Sequence, residues 1–194
     1  MTRVGWAIKR LMDIAVAATA LVPAAPVFGL LVLAIRLDSR GPAVFRQERA
    51  GRGMRPFRLC KFRTMRTDVD PFGESPRDGE DPRLTRLGRW LRETSLDELP
   101  QLWNVLVGDM SLVGPRPLYM SQAQAFDERQ RRRLEVRPGV TGLAQIQGRG
   151  ALPHEEKLEI DVQYVEQASL ALDLRILWRT VTGLVRRKGI YQRW

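Results

Sequence analysis

The stretch that decides the fold is residues 14–35, IAVAATALVPAAPVFGLLVLAI, which contains no charged side chain. A straight apolar helix needs about 20 residues to cross a bilayer, so this stretch is long enough for a membrane span. Pro23 and Pro26 stand in its middle, where each removes a backbone donor and clashes with the preceding turn. The two prolines therefore predict a sharp bend or a break between two half-length helical arms.

Basic residues flank this stretch on both sides. They are Arg3, Lys9 and Arg10 before it and Arg36, Arg40, Arg46 and Arg49 after it. Such flanks favour the cytoplasmic side of a membrane, so both ends are expected on one side. Length, prolines and charges together favour a re-entrant helix-break-helix in residues 1–40, which enters one leaflet and returns. A true span and a hairpin buried in a protein core are the alternatives.

The charge balance of the chain points to an anionic partner. Its 194 residues include 32 Lys and Arg against 22 Asp and Glu, a formal net charge of +10. Nucleic acid, anionic lipid and phosphorylated substrates all satisfy such a charge. Cys60 and His154 are the only residues of their types, which excludes an intrachain disulfide and a cysteine zinc cluster.

The remaining residues, 41–194, predict a globular domain that is mostly α with a small β element. Val44-Phe45 and residues 57–62 indicate a strand pair, 67–82 an exposed loop that closes over a site, and 83–93, 98–107, 119–134 and 154–167 helices. An amphipathic C-terminal helix is expected from Leu170, Leu174, Leu177, Val181 and Leu184, with Trp178 near that face and Arg175, Arg179, Arg186, Arg187 and Lys188 on the polar side. It is either an interfacial helix or a helix docked on the core.

The adjacent carboxylates Asp97 and Glu98 carry the sharpest chemical signal. Ser95 and Glu98 have the spacing of a capping box. In a helix capped by Ser95, however, Pro100 would be the fifth residue, where a backbone N–H donor is required and proline has none. A helix that begins at Asp97 and ends at Gly108 tolerates Pro100 in its first turn. The positive end of this helix would favour the binding of phosphate and would lower the Asp97 pKa.

An ionised carboxylate such as Asp97 can attack phosphorus. Two carboxylates would repel a diphosphate, so a divalent cation, Mg²⁺, is expected between them. The spacing alone leaves an ordinary helix cap open.

Seven short motifs follow one another in an order typical of one known family. They are residues 47–51 (QERAG), 61–65 (KFRTM), 81–85 (DPRLT), 96–101 (LDELPQ), 108–111 (GDMS), 114–117 (GPRP) and 137–142 (RPGVTG). With these motifs the chain, up to about Gly189, resembles the small monotopic polyprenol-phosphate phosphoglycosyl transferases of the bacterial sugar transferase family. Each motif alone is weak, whereas seven in sequence are specific.

The resemblance implies a ping-pong transfer at a bacterial inner membrane, with the catalytic domain on the cytoplasmic face. Asp97 would attack the β-phosphate of a UDP-sugar, UMP would leave, and undecaprenyl phosphate or another polyprenyl phosphate would accept the phosphosugar. Glu98 would help Asp97 hold Mg²⁺. The product, a polyprenyl-diphosphate-sugar, would begin glycoconjugate assembly for polysaccharide, O-antigen or glycoprotein glycans.

The resemblance and the charges also assign substrate contacts. Arg92, five residues before the nucleophile, is expected to meet either a phosphate or Asp97, and its position in the family favours phosphate. The stiff loop Pro115-Arg116-Pro117 is expected on the nucleotide side, with Arg116 as the contact. The other expected contacts are Lys61, Arg63, Arg83, Arg137 and Gln145. Arg131 to Arg133 are interpreted as a solvated face.

Two competing functions stay open. A membrane-tethered basic protein that binds anionic lipid or nucleic acid would explain the net charge, but not the carboxylate pair; the enzyme interpretation requires no nucleic acid. Alternatively Asp97 is a general base for direct attack by the lipid phosphate, although that phosphate is already anionic and has little need of one. Exposed apolar surface also allows a homodimer. No residue in the sequence identifies the sugar.

Overall fold

The computed structural model describes residues 1–70, 76, 80–148 and 152–185. Its elements in chain order are α1 (Arg3–Asp38), β1 (Val44–Ala50), β2 (Pro56–Phe62), α2 (Arg86–Thr94), α3 (Gln101–Val107), β3 (Ser111–Val113), α4 (Met120–Gln124), α5 (Glu128–Arg131), β4 (Gly139–Thr141), α6 (Leu143–Gln147), α7 (His154–Gln167) and α8 (Leu170–Val185). Short 3₁₀ turns cover Arg52–Met54, Leu96–Glu98 and Arg132–Glu135. The prediction of a mostly helical chain with a small β element is confirmed.

Two small sheets organise the globular part. Strands β1 and β2 pair antiparallel in a register that runs from Val44 opposite Phe62 to Ala50 opposite Pro56, which confirms the predicted strand pair. Strands β3 and β4 pair parallel, with Ser111 opposite Gly139. This second sheet was not predicted, because strands of three residues are too short to show a period of two.

The N-terminal helix α1 is continuous from Arg3 to Asp38, so the predicted break at Pro23 and Pro26 is absent, while the sharp bend that was its alternative stays a prediction. Each proline removes only its own donor, which frees the carbonyls of Thr19 and Val22 four residues earlier. The helix keeps its backbone conformation through that loss. Among the described residues, α1 is the one helix long and apolar enough to cross a membrane.

Both halves of α1 pack on the globular domain, while its middle does not. In the first half, Asp13 accepts a hydrogen bond from the Ser111 hydroxyl at 2.8 Å and Ala17 joins the main core. In the second half, Leu31 and Ile35 join a second core with Phe62 and Leu91. Residues 18–27 are exposed or only partly buried, and the contact with the second core begins at Phe28, whose ring centre lies 4.6 Å from that of Phe62. The domain therefore holds α1 at two places on either side of its prolines.

The bounds of the other predicted helices agree with the structure to different degrees. Residues 154–167 form α7 as predicted, and α2 begins three residues later than predicted, where the Thr85 hydroxyl accepts from the Gly88 amide at 2.9 Å. The single helix predicted over residues 119–134 is wrong. Asp127 starts a new helix there, because its side chain accepts from the Gln130 amide. Of the predicted loop, residues 71–75 and 77–79 lie outside the described residues.

Candidate active site

The carboxylate pair lies in a one-turn 3₁₀ helix between α2 and α3. Helix α2 ends at Thr94, and Ser95 reverses the chain with a left-handed backbone, φ 58°. The Ser95 side chain makes no capping bond, so the capping-box interpretation is wrong. The Leu99 amide donates to the Leu96 carbonyl at 3.2 Å, the pattern of a 3₁₀ turn. Since Pro100 has no amide to continue an α-helix here, α3 begins at Gln101 instead of Asp97.

Glu98 is the fixed anion of the pair. Its Oε1 atom accepts from Lys61 Nζ at 2.8 Å and from Arg116 Nη2 at 3.0 Å. Burial alone would raise the Glu98 pKa, but the charges of Lys61 and Arg116 and their hydrogen bonds hold it at about 2. The loop after β3 and strand β2 thus meet at one ionised carboxylate.

Asp97 is buried, with 7% of its surface exposed, and it lines the main cavity of the described chain. Within the described residues it has no hydrogen bond or ion pair. Burial raises its pKa; Lys61 opposes this, Glu98 adds to it, and Arg92 and Arg116 oppose it. The expectation of a depressed Asp97 pKa is therefore wrong, because desolvation outweighs the weak dipole of a one-turn helix.

The cavity has a volume of about 570 Å³ and opens between the β1–β2 sheet and Asp97, whereas Glu98 and Pro115 do not line it. Several predicted contacts line it, namely Lys61, Arg63, Arg92, Arg116 and Pro117. A volume of this size suits a nucleotide-sized ligand rather than an extended polymer. The structure thus brings most of the predicted basic residues to the same space as Asp97.

Arg92 and Arg63 face different partners inside this region. Arg92 Nε lies 3.2 Å from the Thr64 hydroxyl and acts on the Asp97 charge. Arg63 instead donates to the carbonyls of Ser39 and Arg40, each at 2.7 Å, and so satisfies the C-terminal end of α1. Arg63 therefore stabilises the C-terminal end of α1, and its predicted phosphate contact stays a prediction.

Arg83, Arg137 and Gln145 do not line the cavity. Arg83 pairs with Asp81 at 2.7 Å in the turn before α2. Arg137 donates to the Gly108 carbonyl at 2.8 Å, so it satisfies the far end of α3 from Asp97. The Gln145 amide is buried without a hydrogen-bond partner in the described residues. None of the three is placed beside the pair.

Arg133 is a residue whose position sequence reasoning missed. Its interpretation as part of a solvated face is wrong: it is 3% exposed and paired with Asp161 of α7 at 2.5 Å. It also donates to the Arg116 carbonyl at 2.7 Å, which supports the loop that carries Arg116 to Glu98. Asp161, an acid on the buried face of a helix beside Leu158 and Val162, is the signal for a buried cation partner.

A family model described as bacterial sugar transferase matches residues 4–187. The chain belongs to the bacterial sugar transferase family. The match includes α1 from its second residue and every described element after it, as the resemblance of the sequence motifs implied.

Curated relatives agree with this family. The transferase is 46% identical to the uncharacterized sugar transferase EpsL of Bacillus subtilis, over 95% of this chain and 91% of the relative. It is 44% identical to the UDP-glucose:undecaprenyl-phosphate glucose-1-phosphate transferase of Caulobacter vibrioides, over 94% of this chain and 72% of the relative. It is 42% identical to the galactosyl transferase CpsE of Streptococcus agalactiae, over 93% of this chain but 43% of that longer protein.

Besides those of α1 and Trp90 of α2, exposed large apolar side chains of the transferase lie on α3 and α8. Trp103 and Val107, one turn apart on α3, are 59% and 52% exposed. Helix α8 buries Ile176 in the core, so it is docked, and it exposes Leu174, Trp178 and Val181 on another face. The docked-helix alternative is therefore confirmed, and the interfacial alternative stays a prediction. Leu184 lies at its described end, while Arg186, Arg187 and Lys188 lie outside the described residues.

The predicted magnesium ion stays a prediction, and the carboxylates present can be compared with what such an ion requires. The described residues contain no cluster of three or more His, Cys, Asp or Glu side chains that could hold a metal. Asp97 and Glu98 supply two carboxylates. Mg²⁺ is commonly held by one or two carboxylates together with phosphate oxygens and waters, so the number and type of these groups are compatible with an ion that also binds a diphosphate.

Proposed function

We propose that this transferase moves a phosphosugar from a UDP-sugar to polyprenyl phosphate, giving polyprenyl-diphosphate-sugar and UMP. The observation that carries the proposal is Asp97, a buried carboxylate that has no hydrogen bond or ion pair among the described residues and faces a nucleotide-sized cavity beside three cations. The name of the Caulobacter relative, which includes a UDP-sugar donor and undecaprenyl phosphate, supports the same substrate classes.

In the first step an Asp97 oxygen attacks the β-phosphorus of the donor. A bond forms between that oxygen and phosphorus, and the bond from phosphorus to the bridging oxygen breaks, so that UMP leaves with the electron pair. Desolvation favours this role, because a buried carboxylate without hydrogen bonds is a stronger nucleophile than one that is solvated. Lys61, Arg92 and Arg116 attract the diphosphate and stabilise the charge that develops on it.

In the second step an oxygen of the lipid phosphate attacks the same phosphorus and releases the Asp97 carboxylate. Glu98 stays ionised throughout, since Lys61 and Arg116 hold its pKa at about 2. It therefore keeps these two cations in place instead of carrying a proton. The lipid phosphate is itself anionic at neutral pH, so the step needs no general base, which disfavours that role for Asp97.

Asp97 and Glu98 would hold Mg²⁺ when the donor binds. The ion would supply positive charge that offsets repulsion between two carboxylates and a diphosphate. The same charge would favour ionised Asp97, against the effect of its burial.

We place the domain at the cytoplasmic face of the bacterial inner membrane, with α1 re-entering the leaflet. Support comes from α1, whose two halves pack on one domain while its middle, around Val22, is exposed. The exposed Trp103 and Trp178 suit the headgroup level, where aromatic side chains concentrate. In this arrangement the cavity lies beside the phosphate of a lipid acceptor.

The test is an Asp97→Asn variant assayed for UMP release with polyprenyl phosphate and a panel of UDP-sugars that includes UDP-glucose and UDP-galactose. Removal of the nucleophile should lower the rate by about 10³-fold or more. Glu156→Gln, an exposed acid on α7, is the matched control and should retain the rate. Undiminished UMP release by Asp97→Asn would overturn the assignment of Asp97 as the nucleophile. No UMP release by wild type with any donor of the panel would instead favour a basic membrane-tethered binding protein.

A further inference from the structure

Arg49 forms a second cationic feature of the cavity wall, on strand β1. Its guanidinium carbon lies 3.6 Å from the centre of the Tyr119 ring. Its Nη2 donates to Gln47 Oε1 at 2.5 Å, and Gln47 Nε2 donates to the Tyr119 hydroxyl at 3.3 Å. All three residues line the cavity. Stacking and the two hydrogen bonds fix the plane of the guanidinium before any ligand arrives.

The charge of Arg49 is not compensated within the described chain. No carboxylate pairs with it there, and its Nε atom is buried without a hydrogen-bond partner. Burial lowers its pKa, as does the positive charge of nearby Arg116. Other cations of the region have acids: Lys61 and Arg116 share Glu98. A partly buried cation without a counterion is costly, and an anionic ligand in the cavity would offset that cost.

The position of Arg49 relates it to the reaction centre. Phe45, Gln47 and Arg49 alternate along β1, and the register places Phe45 opposite Lys61. Residues directly opposite share a face of a sheet, so Arg49 and Lys61 lie on the same face, four residues or about 13 Å apart along the strand. Two long basic side chains can bridge this separation around one phosphorylated ligand.

We propose that Arg49, held by Tyr119 and Gln47, is a phosphate-binding residue in a second part of the cavity, apart from the carboxylate pair. This inference rests on the proposed function, which supplies two phosphorylated ligands. The bound phosphate belongs either to the nucleotide or to the polyprenyl phosphate. In both cases the planar guanidinium presents paired donors to phosphate oxygens, a geometry that lysine does not reproduce.

The experiment compares wild type, Arg49→Gln, Arg49→Lys and Arg58→Gln in the full chain, purified in detergent. Arg58 is the matched control, because it lies on the partner strand β2, is exposed, and does not line the cavity. Binding of UMP, uridine and a short-chain polyprenyl phosphate is measured by direct titration. Unfolding midpoints followed by tryptophan fluorescence establish that each variant is folded.

If Arg49 contacts phosphate, Arg49→Gln should weaken the binding of either UMP or polyprenyl phosphate by about tenfold or more. Arg49→Lys should restore only part of that affinity. Loss confined to UMP, with uridine unchanged, identifies the nucleotide phosphate; loss confined to the lipid identifies the acceptor. Unchanged affinity for both ligands in folded Arg49→Gln would overturn the proposal. So would equal loss for UMP and uridine with the lipid unchanged. Neither result affects the Asp97→Asn test, so the two proposals fail separately.

Discussion

Replacing Glu98 by Gln removes the anion that joins Lys61 to Arg116, and its cost can be worked from the structure. A Glu98 pKa lowered from 4.5 to about 2 corresponds to roughly 3 kcal/mol at 1.36 kcal/mol per pKa unit. The Arg116 side chain is 49% exposed, so solvent screening weakens its ion pair with Glu98. We expect Glu98→Gln to lower the free energy of unfolding by about 2 kcal/mol at pH 7, or about 4–8 °C in unfolding midpoint.

The assay is thermal unfolding in detergent, followed by tryptophan fluorescence as a function of pH. Because the folded-state pKa is lowered, the stabilisation by Glu98 is complete above pH 4.5 and is lost as the pH falls from 4.5 towards 2. The midpoint difference between wild type and Glu98→Gln should therefore close over that range. Glu156→Gln, an exposed acid, should show no difference at any pH. Equal midpoints for wild type and Glu98→Gln at pH 7, or a difference that persists at pH 2, would refute the reasoning.

Three further changes test other parts of the structure by the same unfolding assay. Asp97→Asn should unfold no earlier than wild type at pH 7, because a raised pKa means that ionised Asp97 costs stability; a clearly lower midpoint would contradict this. Gly88→Ala should cost about 1–3 kcal/mol, since its Cβ would lie 2.0 Å from a neighbouring carbonyl oxygen, whereas Gly29→Ala, with open space around it, should cost nothing measurable. Lys9→Met should cost about 3–5 kcal/mol by leaving Asp173 buried without its 2.8 Å partner, and a Lys9→Met, Asp173→Leu double variant should recover most of it.

Helices and strands were predictable from the sequence where a local pattern of residues specifies them. The uncharged stretch 14–35, the alternation in residues 57–62 and the periodicity of residues 154–167 each gave the right element. Of the two expectations at Pro23, a break or a sharp bend, the break is absent, because a proline rule describes the loss of one hydrogen bond and not whether the rest of a long helix tolerates it. The parallel β3–β4 pair depends on two segments about 28 residues apart in sequence, which no local pattern reveals.

For the site, the sequence predicted the identity of the residues more accurately than it predicted their environment. Asp97, Glu98, Lys61 and Arg116 were predicted together and lie together. The direction of the Asp97 pKa was wrong, since burial by distant segments cannot be seen from its neighbours in the chain. Similarly, an arginine that satisfies a helix end, as Arg63 does, has the same local sequence signature as one that binds phosphate.

The central claim is that the Asp97 oxygen becomes bonded to phosphorus during turnover. The most direct measurement is the mass of the intact transferase, and of its peptide containing Asp97, after incubation with a UDP-sugar and Mg²⁺ but no polyprenyl phosphate. The account predicts one added phosphosugar on that peptide, with one equivalent of UMP released, and no addition in Asp97→Asn. Turnover with lipid acceptor by an enzyme that never gains this mass would contradict it.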